Sequence, residues 1–468
     1  MRRHSLTGPL LLLLVGALFL WRNLHPEAPV FDLVSEYWPF LLIAWGLLRL
    51  VEVLIWRNHG WRFGFTGGEV ALVVLICIAG SGMWTAHHHG FRFNAGSMDF
   101  WGTQYEYTVS AHAPTAGTNR VVFENSRGNI TVTGADSQEV TVSGRKLVRS
   151  YNRGEADRAD QNTPVEIVAQ GDRLLVRTNQ DRVSSDQRVS DDLTVTVPRG
   201  MAVEARGTSG DYDISGIAGD VDLNSERADV RLSRLGGNAR IEAGRSDLIH
   251  AVDVKGKIEL HGRGSDVDLE NIGGQVTIDG AFSGTLDFKN LAQPMQLQGR
   301  NTELRVAALP GTISMNLSGF TANNVVGPIR LVTRSRDVRL ERFSQSLDLE
   351  AQLGDVFLDP GSVPLPSIEA RSGGGHIDLV LPEKAAFQLQ ATSEHGDAVN
   401  DFGPQIQRAM EGRTATLKGK VGDGPSIRLT SDRGTISVRR EGAAPNPPAP
   451  PERPRDPRPP VPPPAKEF

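Results

Sequence analysis

Along the second half of the chain, pairs of apolar residues separated by a single polar residue recur at a steady interval. Within GSDVDLENIGGQVTIDG (264–280), the pair Val267/Leu269 is followed nine residues later by Val276/Ile278, with a glycine-containing turn between the pairs. Alternation of apolar and polar positions is the period of a β-strand, and Gly, Asn, Asp and Ser mark turns. The pattern therefore predicts short strands with one face in a core and the other in solvent.

The interval between pairs is nine or ten residues over most of this region, so every second pair recurs after about 18–19 residues. Pairs begin at 221, 230, 239, 248, 258, 267, 276, 286, 295, 304 and 313, slip near 322–328, resume at 329, 338, 347 and 356, and return at 368 and 377 after a second slip through 359–367. A fixed repeat of this length is typical of a β-solenoid, here with two short strands per coil. We therefore predict an all-β solenoid over about 121–440, with Val, Ile and Leu inside, joined by Phe288 and Phe357.

Two other segments depart from the repeat. Residues 145–190 are polar and charged, and we interpret them as a surface excursion between strands. Residues 441–468 form a Pro-rich tail, since 12 of the 28 prolines fall in the last 24 residues. Such a tail lacks the apolar residues needed for a core, so extended polyproline conformations and disorder are expected.

Three apolar runs open the chain and predict transmembrane helices over about 7–24, 38–56 and 69–85. A helix needs about 20 apolar residues to cross a bilayer core, which the second run reaches by itself and the others reach with their flanks. All seven Trp lie in the first 101 residues, four of them at the ends of these runs. Tryptophan prefers the headgroup layer, so residues 1–86 are predicted to be a membrane region, followed by a juxtamembrane linker over 87–120.

The basic residues of the short loops predict the orientation of these helices. Arg2 and Arg3 precede the first run, and Arg57 and Arg62 lie between the second and third. The positive-inside rule then places the N-terminus in the cytoplasm and, after three crossings, the solenoid outside the cytoplasmic membrane. The first run could instead be a signal peptide, although no clear cleavage site follows it. Both interpretations predict a multi-pass membrane protein.

Two stretches resemble known bacterial families. The succession GPLLLLLVGALFLWRNL and YWPFLLIAWGLLRL, within residues 6–56, resembles the LiaI/LiaF-like transmembrane region of envelope proteins. The phrases NSRGNITVTG, DDLTVTVPRG, TSGDYDISG and SDRGTISVRR, within about 121–440, resemble the bacterial β-strand-repeat family labelled "putative adhesin". The second resemblance implies an extracytoplasmic β-helix, and it brings no catalytic residues with it.

Composition narrows the function classes. The formal charge of −5 gives no overall attraction to nucleic acid, and no nucleic-acid partner is expected. Cys77 is the single cysteine, so no intramolecular disulfide can form. Arginine outnumbers lysine, 42 to 8, which reflects either base composition or anion binding.

One chemical feature repeats with the coils. An acid stands just before many strands, at Asp229, Asp247, Asp266, Glu303, Asp337 and Asp355, and an arginine often precedes it, at Arg227, Arg245, Arg263, Arg300 and Arg334. Stacked coils would place these side chains in two adjacent columns, with about 4.8 Å between one rung and the next. The favoured interpretation is that the columns neutralise each other in water. The alternative is a ladder of arginines for an anionic or sugar polymer, because guanidinium groups engage phosphate and carboxylate in a bidentate way.

Metal and enzyme interpretations have weaker support. Gly262, Gly264 and Asp266 match part of a calcium-binding repeat turn once, but the equivalent turns lack the glycines, so no metal is predicted. His87, His88 and His89 are interpreted as a polar juxtamembrane run. Short turns leave little wall for a catalytic cleft, and no Ser-His-Asp or metal-spaced cluster occurs. No catalytic residue, metal site or cofactor is predicted.

The function expected from the sequence is a non-enzymatic binding or scaffold role in the bacterial cell envelope, with envelope-stress sensing as one version. The partners expected are the lipid bilayer and either a wall polymer or an envelope signalling protein. The alternatives are an adhesin for surface attachment and a polysaccharide-active β-helix enzyme, the latter being disfavoured.

Overall fold

In a computed structural model of the protein, the described residues are 102–115, 117–183 and 188–442, together with Val74 and Cys77. The predicted helices 7–24 and 38–56, nearly all of 69–85, and the Pro-rich tail from 443 onward lie outside them. Among the residues described, no helix is both long enough and apolar enough to cross a membrane.

The chain divides into two compact units at the Gly237–Asn238 junction. The described residues of the first unit from 102 onward form β-strands, one α-helix and one 3-10 turn. Its elements are β1 (Thr103–Pro114), β2 (Arg120–Glu124), β3 (Ile130–Ala135), β4 (Glu139–Ser150), α1 (Arg153–Asn162), β5 (Glu166–Gln170), β6 (Arg173–Arg177), a 3-10 turn (Gln180–Arg182), β7 (Arg188–Pro198), β8 (Ala202–Ser209), β9 (Tyr212–Ser215), β10 (Val221–Arg227) and β11 (Val230–Leu235).

The first unit stacks its coils as two parallel ladders, as the repeat predicts. In one ladder β2 pairs with β6 on one side and with β8 on the other, and β8 pairs with β10. In the other ladder β3 pairs with β7 and β9, and β9 pairs with β11. The coil formed by β2 and β3 therefore lies inside the stack, although it is the first coil along the chain.

Antiparallel strands and α1 cover the β6/β7 end of this stack. β4 pairs with β7, β1 pairs with β4, and β5 pairs with β6, all antiparallel. α1 packs Ala156 and Ala159 against Val148 of β4 and Val189 of β7. An uncovered ladder would expose unpaired backbone groups, so these elements protect the edge.

Two segments differ from the sequence-based expectation. Residues 103–114, expected to be linker, form the 12-residue strand β1. The segment 145–190, expected to be a polar excursion, contains the end of β4, α1, β5 and β6. Both segments lie at the end of the stack that β1, β4, β5 and α1 cover. One face of these covering elements stays in solvent, so their sequences are more polar than those of the inner coils.

The second unit is all-β in its described part. Its strands are β12 (Ala239–Val254), β13 (Ile258–Ile272), β14 (Val276–Phe282), β15 (Leu286–Leu291), β16 (Met295–Gln298), β17 (Thr302–Val306), β18 (Leu309–Met315), β19 (Gly319–Val326), β20 (Ile329–Ser335), β21 (Asp337–Ser344), β22 (Ser346–Leu353), β23 (Val356–Asp359), β24 (Ser367–Ser372), β25 (Ile377–Leu381), β26 (Phe387–Ser393), β27 (Ala398–Asp401), β28 (Ile406–Glu411), β29 (Thr414–Val421), β30 (Ser426–Ser431) and β31 (Ile436–Arg440).

Most coils of the second unit stack in parallel with the predicted register. Ile258 pairs with Val276, and Val267 pairs with Leu286. Beyond residue 329, β20, β22 and β24 form one parallel ladder, and β21, β23 and β25 form the other. The solenoid-like arrangement of short strands is therefore confirmed within this unit.

One pass of the chain runs in the opposite direction. β17 pairs antiparallel with both β16 and β20, and β18 pairs antiparallel with both β15 and β19. The apolar pairs at 304 and 313 were expected to continue the parallel coils, and this expectation is wrong. Inward and outward positions alternate identically in both strand directions, so the sequence pattern is the same for a forward and a reversed pass.

The last coil along the chain is also not the last coil of the stack. β30 lies between β24 and β26, and β31 lies between β25 and β27. The antiparallel strands β29 and β28 then continue from β26. The C-terminal strands are therefore held on both sides by earlier coils.

The core consists of the apolar side chains that the repeat places inward. Val267, Leu269, Val276 and Ile278 are all at most 1 % exposed, and Phe288 is equally buried. Phe357 is different, because it alternates with the buried residues of β23 and faces outward. There the Arg339 guanidinium lies over its ring, 4.2 Å from the ring centre. The expectation that Phe357 joins the core is therefore wrong.

Candidate binding site

Three of the six acidic residues that precede strands accept backbone N–H groups of the next coil. Asp337 Oδ1 accepts the backbone N–H of Asp355 at 3.0 Å, and Asp355 Oδ1 accepts that of His376 at 2.8 Å. Asp266 Oδ1 accepts the backbone N–H of Thr285 at 2.7 Å. These carboxylates therefore continue the hydrogen bonding of the ladders around the corner of the coil.

Glu303 is used differently. Its carboxylate lies 2.9 Å from Arg305 and 3.7 Å from Arg330, on the outward faces of β17 and β20. Both ion pairs are half-exposed, and both arginines lie on strand faces. Glu303 does not pair with Arg300, the arginine that precedes it in the sequence.

The predicted arginines do not form ion pairs with the neighbouring acids. Five arginines were predicted to form a column: Arg227, Arg245, Arg263, Arg300 and Arg334. Within the described ranges, none of them lies at ion-pair distance from a carboxylate. Arg263 Nε instead donates to the carbonyl of Gly244 at 3.0 Å. The two columns are therefore not joined by direct ion pairs among the described residues, and the favoured interpretation, that they neutralise each other in water, stays a prediction.

The reversed pass of the chain creates a groove in the second unit. The groove has a volume of about 360 Å³, and three arginines line it: Arg263, Arg300 and Arg336. Apolar side chains, including Phe282 and Leu317, complete its wall. Among the described residues, none of these three arginines has a carboxylate partner, so the groove concentrates positive charge beside apolar surface.

Two tight turns place these side chains. The turn between β16 and β17 carries Arg300, and the turn between β18 and β19 carries Leu317, which is 72 % exposed. Asn316 Oδ1 shapes the second turn by accepting the backbone N–H groups of Ser318 and Gly319, each at 2.9 Å. Asn side chains favour such turns because they replace a missing backbone acceptor.

Arg336 has the most enclosed position of the three. It lies between β20 and β21, and its Nη1 donates to the hydroxyl of Thr302 and lies 3.6 Å from Met315 Sδ. Thr302 and Met315 are buried. Burial lowers the pKa of the Arg336 guanidinium, because a charge loses hydration in an apolar setting.

The groove contains only part of the predicted arginine set. Arg263 and Arg300 both line it, whereas Arg245 and Arg334 do not, and Arg227 belongs to the first unit. Arg334 is close in sequence, and its backbone N–H donates to the carbonyl of Asn301 at 3.2 Å. Sequence reasoning missed Arg336, although the hairpin signals that position it, Gly-Arg-Asn at 299–301 and Asn-Leu-Ser-Gly at 316–319, are present.

The glycines of the partial calcium turn have a packing role. A Cβ atom on Gly262 would lie 1.8 Å from the carbonyl oxygen of Ala243, and one on Gly264 would lie 2.2 Å from that of Ser246. Neighbouring rungs therefore approach more closely here than a side chain permits. In the described part of the chain, no group of three or more His, Cys, Asp or Glu is arranged to hold a metal ion.

A separate cluster of buried polar groups lies in the first unit. Asp191 is fully buried, and its Oδ2 accepts a hydrogen bond from Gln180 Nε2 at 2.6 Å. Burial raises the pKa of Asp191 to about 6. The buried Lys146 donates to Asp160 Oδ1 at 2.9 Å. These bonds attach α1 and the 3-10 turn to the coils, so we interpret the cluster as structural.

Comparison with known proteins gives a family match and distant structural likenesses. The model of a family described as Toastrack DUF4097 matches residues 102–439. A crystal structure of a "putative cell adhesion protein" from Clostridium sporogenes is 7 % identical, with 72 % of this chain and 100 % of that chain covered and a TM-score of 0.16. A "putative adhesin" from Bacteroides fragilis is 9 % identical, with 71 % and 97 % covered and a TM-score of 0.19. No curated protein matches the chain.

Proposed function

Because this chain belongs to the Toastrack DUF4097 family, we propose that its β-strand domain is a non-enzymatic binding module of the bacterial cell envelope, carried on an N-terminal membrane anchor. The ligand proposed is an anionic wall polymer, and envelope-stress sensing is the process proposed to use it. The resemblance of residues 6–56 to LiaI/LiaF-like membrane regions supports the anchor and the link to stress signalling.

The observation that carries this proposal is that the acidic and the basic side chains at the corners of the coils have different partners. In the second unit, Asp266, Asp337 and Asp355 accept backbone N–H groups of the next rung. The nearby arginines, among them Arg245 and Arg263, have no carboxylate partner within the part of the chain described. Guanidinium groups without a counter-ion attract phosphate and carboxylate, and weak contacts repeated along a rigid scaffold combine into firm binding.

The proposed location rests on the sequence of the first 86 residues. Three apolar runs with arginines before the first and between the second and third would place the β-strand domain outside the cytoplasmic membrane. A cysteine at position 215 in a Cys77→Ser background should react with a membrane-impermeant thiol reagent on spheroplasts. Reaction only after lysis would overturn the proposed topology.

A pull-down with cell-wall material tests the ligand. The full chain in detergent should bind wall fragments that carry anionic polymer, bind fragments stripped of that polymer less, and release with salt. The double variant Arg245→Gln/Arg263→Gln should bind more weakly with an unchanged melting temperature. The matched control is Arg330→Gln/Arg371→Gln, because Arg330 lies 2.7 Å from Asp348 and Arg371 lies 2.6 Å from Glu369.

Equal loss of binding in both double variants would refute the proposed role of the corner arginines. A deletion strain separates the biological alternatives. An altered response to wall-active antibiotics supports stress sensing, whereas altered surface attachment with a normal antibiotic response supports adhesion instead. Release of oligosaccharide by the purified protein would contradict the non-enzymatic assignment.

A further inference from the structure

We propose that the groove lined by Arg263, Arg300 and Arg336 is a discrete binding site for a phosphate group, a proposal that rests on the proposed envelope-binding function and names the ligand group for one site. The groove differs from the rest of the coil corners because the reversed pass, β17 and β18, interrupts the parallel stack beside it. Residues of the six strands β13 to β18 and of the turns after β14, β16, β18 and β20 surround one volume of about 360 Å³.

The first argument is the position of Arg336. Its guanidinium is partly enclosed beside the buried side chains Thr302 and Met315. Its partners there are a hydroxyl and a thioether, neither of which carries charge. A guanidinium removed from water without a counter-charge is unfavourable, so this site is favourable for an incoming anion.

The second argument is the number of cationic groups. A carboxylate is satisfied by a single bidentate arginine, whereas a phosphate group has more oxygens and a higher charge. Three arginines line this groove, and two of them, Arg263 and Arg300, are exposed. This excess of guanidinium groups favours phosphate over carboxylate.

The third argument is the remaining wall of the groove. Phe282 and the exposed Leu317 line it together with the arginines. Ligand sites commonly combine a few placed polar groups with apolar surface, in cavities of about 300–1,000 Å³. The groove therefore suits a phosphate that is attached to a small carbon skeleton, as in a glycerol phosphate unit or a phospholipid headgroup.

Calorimetry with glycerol 3-phosphate tests this site on the full chain in phosphatidylcholine nanodiscs. We expect saturable binding of glycerol 3-phosphate, weaker binding of acetate and none of glycerol. Arg336→Gln should weaken the binding by about tenfold or more, since a hydrogen-bonded charge contact is lost. Arg336→Lys should recover part of it, because the charge returns without the bidentate geometry.

The matched control is Arg330→Gln, which removes an exposed strand-face arginine of the same unit that lies outside the groove and is paired with Asp348. This control should bind as the unmodified chain does. If Arg336→Gln fails to fold, as judged by its melting transition, Arg300→Gln serves in its place because Arg300 is exposed. Absence of saturable binding, or equal weakening in Arg330→Gln and the groove variants, would overturn the proposal.

Competition then identifies the source of the phosphate. Displacement of glycerol 3-phosphate by phosphatidylglycerol vesicles indicates a lipid headgroup, and displacement by soluble anionic wall polymer indicates the polymer. The two proposals can fail separately. If the chain binds wall material but not glycerol 3-phosphate, only the groove proposal is overturned. Retained glycerol 3-phosphate binding without wall pull-down overturns the polymer proposal alone.

Discussion

The carboxylate of Asp355 accepts the backbone N–H of His376 over 2.8 Å and so connects one coil of the second unit to the next. The same column continues on both sides. Asp337 receives the N–H of Asp355, and His376 Nδ1 receives the N–H of Thr435 at 2.9 Å. Backbone donors at a corner have no strand partner, so a side-chain acceptor on the adjacent rung replaces it.

Replacing this acceptor should destabilise the protein modestly. Asp355→Ala leaves the His376 N–H without its partner and is expected to cost about 1 kcal/mol of unfolding free energy. Asp355→Asn retains an oxygen at the same place and should be close to the unmodified chain. Urea unfolding of the full chain measures both.

The control for this prediction is Asp287→Ala, which removes an exposed acid from a strand face in the same unit. It should leave the unfolding midpoint unchanged. If Asp355→Ala and Asp287→Ala have the same effect, the hydrogen bonds at the corners contribute nothing measurable to stability.

The inward-facing apolar positions of the coils should not tolerate a charged side chain. Ile278 is 1 % exposed, and Ile278→Asp would place an unpaired carboxylate among packed aliphatic side chains. Such a change costs several kcal/mol and should abolish the cooperative thermal transition. Asp268→Asn is the matched control, since the Asp268 side chain is 44 % exposed and its carboxylate lies 2.9 Å from His250 on the outward face of β13. Equal shifts of the melting temperature would contradict the register.

Close approach of neighbouring rungs should make Gly262 intolerant of a side chain. Its φ is +144°, and a Cβ would lie 1.8 Å from the Ala243 carbonyl oxygen. Gly262→Ala is therefore expected to cost more than about 2 kcal/mol, measured by urea unfolding. Gly200→Ala should be nearly neutral, because no atom lies within 4 Å of the added Cβ. Comparable losses in the two variants would show that rung spacing is not the cause.

The buried Asp191 should produce a pH-dependent stability. Its folded pKa of about 6 is above the ordinary value of 3.8, so the folded protein retains the proton longer than the unfolded chain. The stability that this group contributes is therefore complete below about pH 4 and falls as the pH rises to about 6, by about 3 kcal/mol at most. Urea unfolding at pH 4.5 and pH 7 measures the difference.

Asp191→Asn removes this titration and should flatten the stability difference between the two pH values. The exposed Asp213→Asn variant is the control and should keep the pH dependence of the unmodified chain. An unchanged pH profile in Asp191→Asn would show that other groups dominate this pH range.

The amino-acid sequence by itself determined the strand pattern, the coil length and the inward aliphatic residues, whereas Phe357 was placed on the wrong face. An apolar side chain at every second position can be buried only if the chain is extended, and the glycine- and asparagine-rich intervals limit each strand to a few residues. Val267 and Ile278 were therefore predictable as core residues. The same pattern located acids and arginines beside the turns, because turn positions face solvent.

Only the tertiary structure decided the order and direction in which the coils stack. Alternation is symmetric under reversal, so Leu304 and Ile313 fit a forward and a reversed pass equally well, and the choice depends on which neighbours they pair with across the ladder. The groove lined by Arg263, Arg300 and Arg336 forms beside this reversed pass. Arg336 meets Thr302 through long-range antiparallel pairing of β17 with β20, a contact between residues 34 apart in the chain. No local spacing encodes such a contact, since its energy comes from packing that exists only once the reversed pass is in place.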